Sequence, residues 1–421
     1  MFILIFITGL LFTLALSKEF KLLERLSLSF PLGLGLSSFL LFLTDQFLHS
    51  INLSVLGIGL LLLSLLFLGT RLYFDWKAGQ LFKFEKPTLD FSGVNLVWLI
   101  FAGMTAYLVY GITIKCLYWP PAEFDTVVGY DLLAKAIAHE GTIKNTMLTN
   151  AEVVNDCGPR LLYPPLLALC NSICYMSGME TPKLINSLFF VSWVVLFYSL
   201  LRRFVTSTSA IFFTLFAVIT PEMFAHASFS LTNLPCAIYT CTAVIAITIW
   251  YEKKIEGFFY LSLFMMTFAV WTRSDVVVFI AAIMALLLIY SWKTKTFKHL
   301  LLYSISAIPF LIWTFYLKAN VPKGQGVFFV KKLFFDTGKL GDVLSTAWSL
   351  MTNENTYGLT FYIFFLALLI NAYALYKTKD KWNFLLVFFI ALTGYTLLYY
   401  QMDNTDGTLF TPGGWMQSGY K

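Results

Sequence analysis

The stretch "VNLVWLIFAGMTAYLVYGITI", residues 94–114, carries no charged side chain. At 1.5 Å of rise per residue a helix of this length reaches about 30 Å, the thickness of a bilayer's hydrocarbon core. The composition around it points the same way: 58% hydrophobic residues, 12% charged, 43 phenylalanines and a mean hydropathy of +0.75 exclude an ordinary soluble domain. Comparable apolar runs lie near 1–17, 28–48, 51–70, 185–201, 207–221, 233–250, 257–271, 275–292, 299–317, 358–376 and 382–400. The expected fold is an all-α polytopic membrane protein with about twelve transmembrane helices. No basic residue precedes the first run, so it is read as a retained span and not a cleaved signal.

The flanks of these runs orient the chain. Lys18, Lys21, Arg25, Arg71, Lys77, Lys83 and Lys86 follow the early spans; Arg202, Arg203, Lys253, Lys254, Lys293, Lys295, Lys377 and Lys379 follow later ones. All fall on the cytoplasmic side, as basic loop residues do, provided one segment between 115 and 201 does not cross. The short stretch 161–177, which opens on Pro164 and Pro165, is the segment expected to stay juxtamembrane or re-entrant. Both chain ends then lie outside, and 115–184, 222–232, 318–357 and 401–421 are outer connections. The formal charge of +6 reflects these loops and implies no nucleic-acid partner. Cys116 and Cys157 in the first outer loop either pair in an oxidising compartment or are small residues at a helix–loop edge. The other four cysteines read as packing residues without zinc-ligand spacing, and no internal repeat is apparent.

Carboxylates crowd that first outer loop. In "EFDTVVGYDLLAKAIAHEG" (123–141), Val128, Leu132, Leu133, Ala136 and Ile137 form an apolar stripe at helical spacing, while Asp131, Lys135 and His139 project elsewhere. This predicts an amphipathic helix on the outer membrane surface. Asp125 at its start has two readings: an N-cap that favours the helix dipole, or a reactive carboxylate.

The order of an acidic residue, a surface helix, Glu-Gly, a basic residue and "YPPL" before a further helix resembles the C-type membrane glycosyltransferases, which include protein O-mannosyltransferases and the lipid A aminoarabinose transferase. The resemblance spans roughly 94–320 and is most specific over 119–165. It implies transfer of a sugar from a polyprenyl-phosphate donor on the extracytoplasmic face of the cell membrane, with Asp125 as general base. It further implies substrate-binding roles for Glu123, Arg160, Tyr163 and Arg273, and for Lys331 and Lys332 of the long outer loop. A divalent metal ion is an implied cofactor, with Glu222 as its ligand. Two departures stand out. Tyr163 replaces the lysine that precedes Pro-Pro in the aminoarabinose transferase, which passes the phosphate role to Arg160. Asn233 stands where relatives often carry aspartate. "RSD" at 273–275 also reads as a simple topological pair of Arg273 with Asp275.

The expected organisation is a three-span N-terminal extension (1–93), a glycosyltransferase-like core (94–320) with catalytic loop 115–184, an outer loop (321–357), and C-terminal spans with an outer tail (358–421). Relatives commonly continue into further helices where this chain ends. Two rivals are weighed. An O-antigen polymerase or ligase would place its key arginines in a large late loop, whereas the acidic constellation here comes early. A transporter or flippase would favour charges at span centres and repeated halves, and the span centres here are almost charge-free.

Overall fold

The computed structural model describes residues 1–79, 93–157, 161–322 and 337–377, with 390, 391 and 394. Among them there are helices and no strands. Two compact units emerge. The first comprises Met1–Val218, His226–Ser274 and residues from Ser306 to 322; the second comprises Ile219–Ala225, Asp275–Ile305 and the described part of 326–421.

The first unit begins with α1 (Phe2–Leu16), α2 (Leu22–Leu48), α3 (Leu53–Lys77) and α4 (Leu96–Tyr118). Local chemistry starts and stops them. Asn52 accepts the Val55 N–H at 2.9 Å and Asn95 accepts the Trp98 N–H at 2.8 Å, so each caps a helix entrance. Arg25 donates to the carbonyls of Thr13, Ser17, Lys18 and Phe20 and so closes the end of α1, where four carbonyls lack helical partners. α1 lies close against α2 because glycine lets the backbones approach: a Cβ at Gly33 would sit 2.1 Å from the Ile5 carbonyl oxygen.

A short π-helical turn, Thr126–Tyr130, leads into α5 (Asp131–Glu140), followed by α6 (Thr146–Thr149), α7 (Ala151–Cys157) and α8 (Leu166–Met176). Next come α9 (Leu184–Leu201), α10 (Ser207–Val218), α11 (Pro221–Ala227), α12 (Asn233–Lys253) and α13 (Glu256–Thr272). The core of the first unit forms where α2 meets α1, α8 and α9, and where α12 meets α9 and α13. α16 (Ile308–Asn320) also packs on α13. In the second unit α14 (Val277–Thr294) packs on α15 (Lys298–Ser304), and α17 (Thr337–Met351), α18 (Glu354–Tyr357) and α19 (Thr360–Lys377) follow. Within that unit Thr220 and Thr360 share a hydroxyl bond of 3.2 Å.

Apolar side chains that are more than half exposed lie along α3 and α4: Leu61, Leu62, Leu65, Leu66, Leu99, Ile100 and Tyr107. Such a belt suits lipid as its solvent. Seven helices are long and apolar enough to cross a bilayer, or eight if α10 and α11 count as one interrupted span. The expected number near twelve is thus not reached among the described residues, and the reason is local. The apolar run at 1–17 yields a 15-residue helix and that at 257–271 a 17-residue one, about 22 and 26 Å long. The run at 207–221 breaks after Val218, and a new helix starts at Pro221, whose nitrogen has no proton to donate. Most of the last expected span, 382–400, lies outside the described residues, as does the tail. α8 is 11 residues long, about 16 Å, and buried among α2, α5 and α13.

Candidate active site

Chain segments far apart in sequence meet around "SFSLTN", residues 228–233, which links α11 to α12. The Thr126 hydroxyl donates to the Ser230 carbonyl at 3.1 Å. Asn171 of α8 donates to the Ser230 hydroxyl at 3.2 Å. Asn186 of α9 donates to the carbonyls of Phe229 and, at 3.3 Å, Leu231. The Thr232 hydroxyl donates to the Tyr130 phenol oxygen at 3.2 Å. Arg273, just past α13, donates through Nη1 to Asn233 Oδ1 at 2.5 Å. Four segments are pinned to one strip of chain. Buried amides on apolar helices require such partners, since an unpaired one costs a large desolvation penalty.

Three expected site residues converge here. The Arg273 guanidinium lies over the Tyr163 ring, 5.3 Å from its centroid. Tyr163 packs edge-on against Tyr130 at 5.7 Å. Asp125, immediately before the π-helical turn, and Arg273 both act electrostatically on the Tyr130 phenol. Burial pushes that phenol well above its ordinary pKa, Tyr163 adds to the rise, and Arg273 and the Thr232 bond oppose it. The site thus joins a carboxylate, a guanidinium and a phenol held protonated.

Asp125 makes no side-chain cap bond to the turn that follows it. The amphipathic helix also differs from expectation. Its helical stretch runs from Phe124 to Glu140, but Thr126–Tyr130 take the wider π turn ahead of α5. Asp131 is not on a solvated face: it is 3% exposed, accepts the Tyr175 hydroxyl and pairs with Lys135 at 2.9 Å. α5 therefore packs against α8 through a polar clasp where a surface helix was expected. All six cysteines are thiols; Cys116 donates to the Ala227 carbonyl at 3.6 Å.

Glu123 Oε1 faces Lys183 Nζ at 3.7 Å, and its own carbonyl accepts the N–H groups of Thr126 and Val127, both at 3.0 Å. Glu222 occupies the first turn of α11, in the second unit. Arg160, Lys331 and Lys332 lie outside the described residues. Of the oxygens near the site, that of Asn233 accepts from Arg273 and Glu123 faces Lys183. No group of three His, Cys, Asp or Glu side chains is arranged to hold a metal among the described residues.

Sequence reasoning singled out Asn233 but missed the rest of the 228–233 strip, Asn171, Asn186 and Lys183. The strip had a signal, four small hydroxyl and amide side chains in six residues between apolar helices. So did the two asparagines, each inside an apolar run. Lys183 had none, since a lysine at a helix entrance reads as a topological charge. No protein-family model, curated protein or solved structure matches the chain.

Proposed function

We propose that this protein is an integral membrane glycosyltransferase that moves a sugar from a polyprenyl-phosphate donor to an acceptor hydroxyl at the extracytoplasmic face of the cell membrane. The observation that carries the reading is the meeting of Asp125, Tyr163 and Arg273 around the buried Tyr130. These residues come from one outer loop and from the end of α13. They bring a base, an aromatic face and a cation to one place, beside an apolar lip where Phe124 and Val127 are exposed.

The chemistry follows from those groups. The acceptor hydroxyl oxygen attacks the anomeric carbon while the bond from that carbon to the phosphate oxygen breaks. Asp125 takes the hydroxyl proton, which raises the nucleophilicity of the oxygen in the transition state. Arg273, oriented by Asn233, brings its positive charge to the departing lipid phosphate. Tyr163 stacks on the guanidinium and holds its plane. The polyprenyl tail stays in the bilayer, which delivers the donor to the site. The twelve-crossing topology with both ends outside belongs to the same proposal.

The test is transfer by purified protein in lipid nanodiscs, offered a panel of polyprenyl-phosphate sugars. Transfer by wild type that is lost in Asp125→Asn supports the reading. Movement of intact donor across the bilayer without transfer would point to a flippase instead.

A further inference from the structure

We propose that Lys183 is a cationic subsite for a phosphate-class anion, occupied in the structure by the carboxylate of Glu123, which an arriving phosphate displaces. The proposal rests on the transferase reading for which phosphate arrives, and on geometry for the rest.

Lys183 is 2% exposed and stands at the entrance of α9. Its ammonium faces Glu123 Oε1 at 3.7 Å and the Pro120 carbonyl oxygen at 3.4 Å. Charge-assisted bonds of an ammonium ordinarily run to about 2.7–2.9 Å, and it has three protons to place. Both contacts are long. A buried cation held this loosely is costly to keep unless something else binds it for part of the time.

The same chain shows how it builds a buried ion pair that serves structure alone. Arg203 donates through Nε and Nη2 to both carboxylate oxygens of Glu24, at 2.6 and 2.7 Å, and those side chains are 8% and 0% exposed. That pair is closed. The Lys183–Glu123 pair is open on the Glu123 side, whose carboxylate is 16% exposed and whose second oxygen takes, among the described residues, only the Ala122 N–H, at 3.3 Å.

Displacing Glu123 has a consequence for Asp125. The Glu123 carbonyl accepts the two N–H groups that open the turn after Asp125. A phosphate that draws Lys183 away from Glu123 therefore acts on the loop that carries the base. Its oxygens accept several bonds at once, which a single carboxylate oxygen at 3.7 Å does not match.

The experiment uses the full-length protein in phosphatidylcholine nanodiscs. Binding of farnesyl phosphate, a short polyprenyl phosphate, is followed by titration, with inorganic phosphate and phosphatidylglycerol as competitors. Wild type should bind farnesyl phosphate, Lys183→Gln should bind it about ten- to a hundredfold more weakly, and Lys183→Arg should stay near wild type. Glu123→Gln should tighten binding, because the internal competitor is gone. The double variant Lys183→Gln/Glu123→Gln removes both charges and keeps the loss if the single variant fails to fold. Competition by inorganic phosphate assigns the site to the phosphate group alone, and competition by phosphatidylglycerol assigns it to lipid headgroups; competition by neither means that the prenyl tail is read too. All three keep Lys183 as the anion's partner. Wild-type affinity in the double variant, weaker binding in Glu123→Gln, or no binding of any probe to wild type overturns it. Donor transfer in the same samples separates the two readings. Farnesyl phosphate binding without transfer of any sugar keeps the subsite and removes the transferase. Transfer with unchanged KM in the double variant keeps the transferase and removes the subsite.

Discussion

Asp125 and Asp131 share one short stretch of chain and meet opposite surroundings. Asp125 is partly exposed and asparagine keeps its shape and capping ability, so Asp125→Asn should leave the thermal midpoint nearly unchanged. Transfer should fall by roughly 10²–10⁴-fold, because an amide takes no proton at neutral pH. Asp131 is buried between Tyr175 and Lys135. Asp131→Asn keeps an acceptor for Tyr175 and loses the charge that faces Lys135; it should cost about 1–2 kcal/mol of stability, read by denaturation in detergent. Equal stability of the two variants would contradict the assignment of the second aspartate as a clasp. Tyr130 adds a pH dependence. Burial raises its pKa above the ordinary value of 10.0, so the folded protein keeps a proton that the unfolded chain releases. That contribution to stability is whole below about pH 10 and is lost as the pH rises further. Thermal midpoints measured between about pH 9 and 11 should fall more steeply in wild type than in Tyr130→Phe.

At the scale of elements, what joins distant helices is polar more often than the composition suggests. Glu24 receives the Lys21 N–H at 2.8 Å at the entrance of α2 and Arg203 from the end of α9, whose guanidinium lies over Phe258 of α13. One ion pair therefore ties three helices. Arg203→Ala strands a carboxylate with no exposure and should cost about 3–5 kcal/mol, whereas Arg203→Met with Glu24→Leu should recover much of that loss. Expression and the fraction of monodisperse protein check this; a single variant no worse than the double would sink it. The caps at Asn52 and Asn95 lie within one turn of their partners, a local signal that the reading of the spans did not use. The break between α10 and α11 was legible only in part, since Pro221 marks a start and the end of the preceding helix depends on packing.

For the whole molecule, the prediction concerns sidedness. α8 is too short to cross, so Ala122 before it and Glu180 after it should face the same side of the membrane, opposite Lys254. Single cysteines at these exposed positions, in a background without the six native cysteines, should label from outside at 122 and 180 and from inside at 254. Outside labelling at 254, or opposite labelling at 122 and 180, would require a different set of crossings. Exposed apolar faces on α3 and α4 belong to this scale too, because a protein in water would bury them.

The amino-acid order by itself determined the class: charge-free runs near twenty residues long leave the backbone no partner in lipid except within a helix. It also set the acidic outer loop apart, because charges concentrated in a chain so poor in them are visible without coordinates. It resolved neither the helix ends nor the site. Those rest on contacts between residues tens to more than a hundred positions apart, such as Thr126 with Ser230, Arg273 with Asn233 and Lys183 with Glu123. No local period encodes such meetings. Burial decides whether a charge is a solvated face or a clasp, and burial is a property of the packed molecule: Asp131 and Lys183 read as surface charges in the chain and became interior ones when α8 and α9 closed over them.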